Sequence, residues 1–372
     1  MRPGPFEFEL NNNHIYVRVL INRSGPFWFI LDTGGSASTI DMRRARDLGM
    51  NPRGSARAVG AGEDQAPVSF VEGVTLGVDG VELRVPALAA LHLKNIEQRE
   101  GRTLDGVLGF ELFANFAVTI DYEAKLIRLS GSQPSTASGH RMPLSLLFDR
   151  IPTVQAQVVQ PAAEPTQGTF AIDTGASAGL IMAEAFHRRL APPQQAVSGQ
   201  IGLGVGGESK GLLGRIAALR FADFEIAAPL AGFSNDSGGA FKIKGLSGLI
   251  GGEILRRFRV TLDYQRKLMD LEPNSDYHSP YESDMFGAVL VAAGEGRRLI
   301  KVQRVLKPSP ASEGGVSDGD IIAEIDGRST SEFTLDHVRR MFRNEGREYA
   351  LLIKRVEEVL QFRTKVKLRR LI

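Results

Sequence analysis

Phe29-Ile30-Leu31-Asp32-Thr33-Gly34-Gly35-Ser36 and Phe170-Ala171-Ile172-Asp173-Thr174-Gly175-Ala176-Ser177 are two versions of one phrase. Each is an apolar run, then Asp-Thr-Gly, then small residues. A short apolar run reads as a buried strand, and the glycine lets the backbone approach closely just past the carboxylate. The repetition extends downstream. Gly106-Val107-Leu108-Gly109-Phe110-Glu111 is echoed by Gly248-Leu249-Ile250-Gly251-Gly252-Glu253, and Val118-Thr119-Ile120-Asp121-Tyr122 by Val260-Thr261-Leu262-Asp263-Tyr264. The aspartates of the two phrases lie 141 positions apart, and Gly109 and Gly251 lie 142 apart. Self-similarity at a long fixed period means one structural unit built twice. The pattern predicts two lobes related by a pseudo-twofold axis that passes between Asp32 and Asp173.

Length and composition agree. A chain of 372 residues has room for two or three domains with cores of their own. A net charge of +2 with 24% charged residues gives no call on nucleic acid or a membrane surface. The basic residues of the tail (Lys354, Arg355, Arg363, Lys365, Lys367, Arg369, Arg370) read as the solvated face of a strand. The absence of cysteine excludes a disulfide framework, a thiolate nucleophile and a cysteine zinc site. The six histidines show no ligand spacing, so neither metal nor cofactor is expected. No stretch approaches the roughly 20 apolar residues of a membrane span, and no signal peptide is read at the start.

Period-two alternation across 6–31, broken at Asn11-Asn12-Asn13, predicts a strand hairpin. Asp41–Leu48 and Ile181–Leu190 read as matched helices. The glycine-rich stretches 58–64 and 201–208 read as hairpins in the two lobes. Residues 131–139 read as a linker and 273–284 as a second connector. Trp28 reads as core, Asp121 and Asp263 as turn or capping residues, and Glu111 and Glu253 as structural.

At the paired triplets the chain resembles the aspartic proteases of the pepsin and retropepsin superfamily, in particular bacterial retropepsin-like enzymes. Beyond the second connector, Phe286-Gly287-Ala288-Val289-Leu290, then Gly315-Val316-Ser317-Asp318-Gly319-Asp320-Ile321-Ile322 and Ile325-Asp326-Gly327, resemble a bacterial-type PDZ domain. The two resemblances imply a mostly β chain: protease β-barrel lobes at 1–133 and 140–272, then a PDZ domain, a small β-barrel with helices, at 285–370. They imply an aspartic endopeptidase in which Asp32 and Asp173 activate a water and Thr33 and Thr174 brace the two turns at Gly34 and Gly175. Flaps are expected at Gly60-Ala61-Gly62 and Gly204-Val205-Gly206. The positions after the triplets, Gly35 and Ala176, lack the hydroxyl common in pepsin-like enzymes. An optimum in the mildly acidic to neutral range follows.

The implied partners are a peptide or protein substrate and a peptide segment or C-terminus held by the PDZ domain. Strand addition is expected beside Val289 and Leu290, facing Val338, with the amides of Phe286, Gly287 and Ala288 available to a terminal carboxylate. Both half-sites lie in one chain, so the resemblance implies a monomer, and it favours a periplasmic or cell-envelope setting.

Three other readings compete. Gly175-Ala176-Ser177-Ala178-Gly179 satisfies the nucleophile-elbow pattern, with His278 or His337 as base, but the first lobe lacks it. Gly202–Gly207 satisfies a dinucleotide fingerprint without a following helix. A catalytically idle peptide-binding scaffold is the third.

Overall fold

The computed structural model describes residues 4–131, 139–355 and 358–372. Apart from its two ends, the linker read at 131–139 lies outside them. The strands follow from the alternation. His14–Ile21 buries Ile15, Val17, Val19 and Ile21 and turns Arg18 and Leu20 outward. Asn12 and Asn13 join it to Glu9–Asn11 with φ of 48° and 65°, the left-handed pair that a twisted two-residue hairpin needs and asparagine tolerates. The strand then pairs with Ser24–Leu31, which ends at Asp32.

Both halves repeat one strand order. In the first, Ser24–Leu31 runs parallel to Gly106–Leu108, which is antiparallel to Thr39–Asp41, itself parallel to Val81–Leu91. In the second, Thr166–Asp173 runs parallel to Gly248–Gly251, which is antiparallel to Leu180–Met182, itself parallel to Leu230–Ser234. Strands covered on both faces read as continuous apolar runs, which is why the signature strands do not alternate.

The halves meet in a six-stranded sheet. Ala117–Asp121 pairs antiparallel with Phe258–Asp263, and Thr119 faces Thr261 with their hydroxyls 2.9 Å apart. The pseudo-twofold axis passes through this pair. Phe6–Glu7 closes one edge and His140–Pro143 the other. A single apolar core runs through both halves, joining Val118 and Ile120 to Val260 and Leu262. The expected lobes at 1–133 and 140–272 are therefore not separate bodies. They form one compact unit comprising the described residues of Met1–Leu93, Leu104–Gln194 and Ile201–Pro280.

The second unit is Tyr281–Ile372 together with Lys94–Thr103 and Gln195–Gln200. Its sheet runs Ala288–Ala293, Leu299–Val305, Ile321–Ile325, Glu348–Arg355 and Leu360–Lys367, the last two described apart from 356–357 between them. Phe286 stacks on Phe342 at 4.7 Å, and Tyr349 meets Phe342 edge-on. In the basic tail, Arg363, Lys365 and Arg369 pair with Glu324, Glu348 and Glu313.

Two local expectations need correction. Ile181 and Met182 belong to the buried strand Leu180–Met182, and the helix spans only Glu184–His187. Sheet pairing on both sides overrides helical propensity there. Trp28 is half-exposed, not core, with the Arg18 guanidinium 4.2 Å over its ring. No helix among the described residues is long and apolar enough to cross a membrane.

Candidate active site

Asp32 and Asp173 stand at the ends of matching strands, and the fold brings their carboxyls together across the pseudo-twofold axis. The glycine of each triplet abuts the other lobe's carboxyl. A Cβ on Gly34 would stand 2.7 Å from Cγ of Asp173, and one on Gly175 would stand 2.3 Å from Cγ of Asp32. Only a residue without a side chain admits this approach. The main chain holds each carboxyl: Gly35 N–H donates to Asp32 Oδ1 and Gly175 N–H to Asp173 Oδ1, both at 2.9 Å. Asp32 N–H itself donates to Leu108 O at 2.9 Å.

The two carboxyls are electrostatically unequal. Burial raises Asp32, but the hydrogen bond from Asp173, the amides of Gly35 and Gly34, and the His14 charge oppose it. Asp173 is held well above the ordinary aspartate range by burial first, then by the negative charge of Asp32, then by its own role as donor; only the Gly175 amide and His14 oppose. Two carboxyls so coupled titrate as a pair that holds one proton. Beneath them Tyr264 stacks on Phe113 at 5.2 Å, its hydroxyl raised by burial and then by both aspartates.

Thr33 and Thr174 make four buried hydrogen bonds across the two lobes, two of them to each other. Thr33 Oγ1 donates to Ile172 O (2.6 Å) and accepts from Thr174 N–H (3.0 Å); Thr174 Oγ1 donates to Leu31 O (2.8 Å) and accepts from Thr33 N–H (3.1 Å). Thr174→Val would orphan a buried carbonyl and a buried amide at once, each worth about 1–3 kcal/mol. Urea unfolding is expected to show that loss of stability with little change in the volume of the residue. Below the turns, Phe110 N–H donates to Gly35 O and Gly252 N–H to Ala176 O, again a matched pair.

A second layer of cross-lobe contacts has no counterpart in the repeated motifs. Asn13 Nδ2 donates to Ser177 O, and at the equivalent place Arg150 Nη1 donates to Ser36 O, both at 2.9 Å. His14 Nε2 lies 3.0 Å from Gly175 O; a carbonyl only accepts, so this nitrogen carries the hydrogen. Asn13 and Arg150 each stand three residues before matched strand positions, Tyr16 and Thr153, and that placement is the one signal the sequence offers.

Gly60-Ala61-Gly62 and Gly204-Val205-Gly206 lie at or beside two hairpin tips that touch. Asp64 N–H donates to Gly206 O at 3.0 Å, and a Cβ on Gly62 would meet that oxygen. Ala61 joins an apolar cluster with Ile151, Ala176, Ile181, Leu213 and Phe241. Gly202–Gly207 thus turns between two strands and opens no helix. Among the described residues Ser177 makes no hydrogen bond to a histidine; His278 meets Tyr277 edge-on and His337 stacks on Phe333. Asp121 and Asp263 cap the turns at Ala124 and Arg266, Glu111 accepts from Ser38 N–H, and Glu253 pairs with Arg257.

In the second unit, Ala288, Val289 and Leu290 lie on the edge strand Ala288–Ala293 as expected. Phe286 and Val338 do not line an open groove: both are wholly buried in the core. The Phe286 amide already donates to Asp284 Oδ1 at 3.2 Å, and Gly287, at φ 79°, packs on Ser309.

Residues 17–112 match the family model for aspartyl proteases, and residues 278–354 match that for PDZ domains. No curated protein matches the chain. Among solved structures, an aspartic proteinase from Irpex lacteus aligns over 74% of this chain and 98% of its own, with 11% identity and a TM-score of 0.45. The chain thus carries a retropepsin-like aspartyl protease match in its first lobe and a PDZ match in its second unit.

Proposed function

We propose that the chain is an aspartic endopeptidase in which Asp32 and Asp173 share one proton and hydrolyse peptide bonds through an activated water. The observation that carries this reading is the matched seating of the two carboxyls, each against the glycine of the opposing triplet. Like charges in two buried, neighbouring carboxyls disfavour double ionisation, so the pair holds one proton, and one acid beside one base is what acid–base hydrolysis requires.

In the proposed cycle Asp32 takes a proton from water while Asp173 gives its own to the scissile carbonyl oxygen. The new C–O bond forms a tetrahedral diol. When its C–N bond breaks, the departing nitrogen takes the proton held by Asp32 and a diol hydroxyl returns one to Asp173. The assignment follows from the asymmetry above: Asp32 receives more main-chain donors and is the better anion. Thr33, Thr174, Gly34 and Gly175 hold the carboxyls in register. The touching tips at Gly60–Gly62 and Gly204–Gly206 act as flaps that part for substrate and exclude water on closing. The cluster around Ala61, Ile151, Ala176 and Phe241 favours apolar side chains beside the cut bond.

The test is cleavage of a mixed peptide library, with new termini identified by mass spectrometry, and its inhibition by a statine-type peptide that mimics the diol. A library left intact, or cleavage indifferent to that inhibitor, would refute the reading. The pH profile is a separate prediction. Activity needs one proton on the pair, so it falls at low pH when Asp32 is protonated and at high pH when Asp173 loses its proton. Because Asp173 is held well above 3.8, the optimum is expected in the mildly acidic to neutral range. A profile peaking below about pH 3, under the reference value of a free carboxyl, contradicts it.

A further inference from the structure

Residues 94–103 sit between Val81–Leu91 and Gly106–Leu108 in the first repeat, yet they pack as part of the second unit. Helix Lys94–Glu100 lies against Ala288–Ala293. Among the described residues that strand pairs only with Leu299–Val305, so its other edge is where an extended peptide would add.

That edge is already engaged. Leu290 O accepts from Arg339 Nη2 at 2.9 Å and from Arg99 Nη1 at 3.2 Å, and Arg339 Nη2 also donates to Arg99 O at 2.6 Å. Across the groove Gly101 backs onto Leu335 of helix Leu335–Met341, where an added Cβ would stand 2.6 Å from Leu335 Cβ. Glu97 pairs with Arg297 at 3.2 Å, and Thr103 Oγ1 accepts from the same guanidinium at 2.6 Å. Glu97 and Glu100 are only 5% and 2% exposed. A merely solvated helix does not bury its glutamates. The Phe286 amide, expected to hold a terminal carboxylate, holds the carboxylate of Asp284 instead.

We infer that the groove between Ala288–Ala293 and Leu335–Met341 is a receptor for residues 94–103 of the chain itself, seated as a helix, and that a peptide from outside enters only by displacing it. The segment is tethered on both sides. Leu93 N–H donates to Asp41 Oδ2 at 3.0 Å, and Asp105 N–H donates to Trp28 O at 2.8 Å. A short tether gives an internal ligand an effective concentration on the order of 1 mM. An outside peptide of the same intrinsic affinity, where that Kd is about 100 μM or lower, therefore binds at least about tenfold more weakly than it would to an empty groove.

The probe is a fluorescent peptide of residues 92–104, titrated by anisotropy into the intact chain. The chain carrying Glu97→Gln and Arg99→Ala, whose resident helix is weakened, is expected to bind it at least about tenfold more tightly than wild type. Equal binding to both, or binding to neither, overturns the proposal. Hydrogen exchange of intact chains guards against a variant that does not fold. Amides of 94–103 are expected to be protected in wild type, to exchange faster in Glu97→Arg, and to recover protection in Glu97→Arg with Arg297→Glu. Unprotected amides in wild type, or no recovery in the charge swap, overturn it as well. Neither assay depends on peptidase activity.

Discussion

Asp173→Asn is expected to lower peptidase turnover by about 10³-fold or more, because it removes the proton that the scissile carbonyl receives. The same substitution is expected to raise the unfolding temperature at neutral pH. Folding raises the pKa of Asp173, so its contribution to stability is fully present below the unfolded value near 3.8 and is lost as pH rises through the folded value. The amide does not titrate. The variant should therefore match wild type in acid and gain on it across that rising window, as thermal scans at a series of pH values would record. Residual turnover within about tenfold of wild type would remove Asp173 from the chemistry. Asp32→Asn should be equally inactive, since the base is lost. The stability gain on its side should be smaller, because more donors favour its charged form.

Gly175→Ala should lose at least about 100-fold in kcat/KM, since small misplacements of reacting groups cost that much. Its methyl would stand 2.3 Å from Cγ of Asp32 and 2.5 and 2.6 Å from the two oxygens, so the carboxyl must swing away or the two turns must separate. Gly35→Ala is the control. A Cβ there would lie 3.2 Å from Asp32 Oδ2, a contact relieved by a small shift, and the matched position in the other lobe already carries Ala176. It should keep activity within about tenfold of wild type. If the two alanine variants behave alike, the carboxyls are not held against the opposing glycines as described.

The paired turns and their strands were readable because Asp-Thr-Gly and Gly-x-x-Gly recur at nearly one period. Strands buried on both faces also leave a short apolar run, and here the turn residues that follow each run marked it as a strand. Asn13 and Arg150 were hidden for a physical reason. Each donates to a main-chain carbonyl, and a carbonyl belongs to every residue, so the acceptor leaves no mark in the sequence. Their unlike side chains also mask the equivalence of their positions. The helix expected over 181–190 failed because strand pairing at Leu180–Met182 outweighed local preference. Residues 94–103 are charged enough to read as a surface helix, and only the paired guanidinium and carbonyl contacts reveal that they are buried against a partner strand.

One consequence follows from the departures from symmetry at the pseudo-twofold axis. Asn13 answers Arg150, Gly35 answers Ala176, and His14 reaches the Gly175 carbonyl from one side. A polypeptide has a direction, and identical walls would accept it threaded either way round. Unlike walls accept one threading better, so in the proposed cycle a scissile bond would meet acid and base in a fixed order, and a palindromic inhibitor is expected to fit one side better than the other.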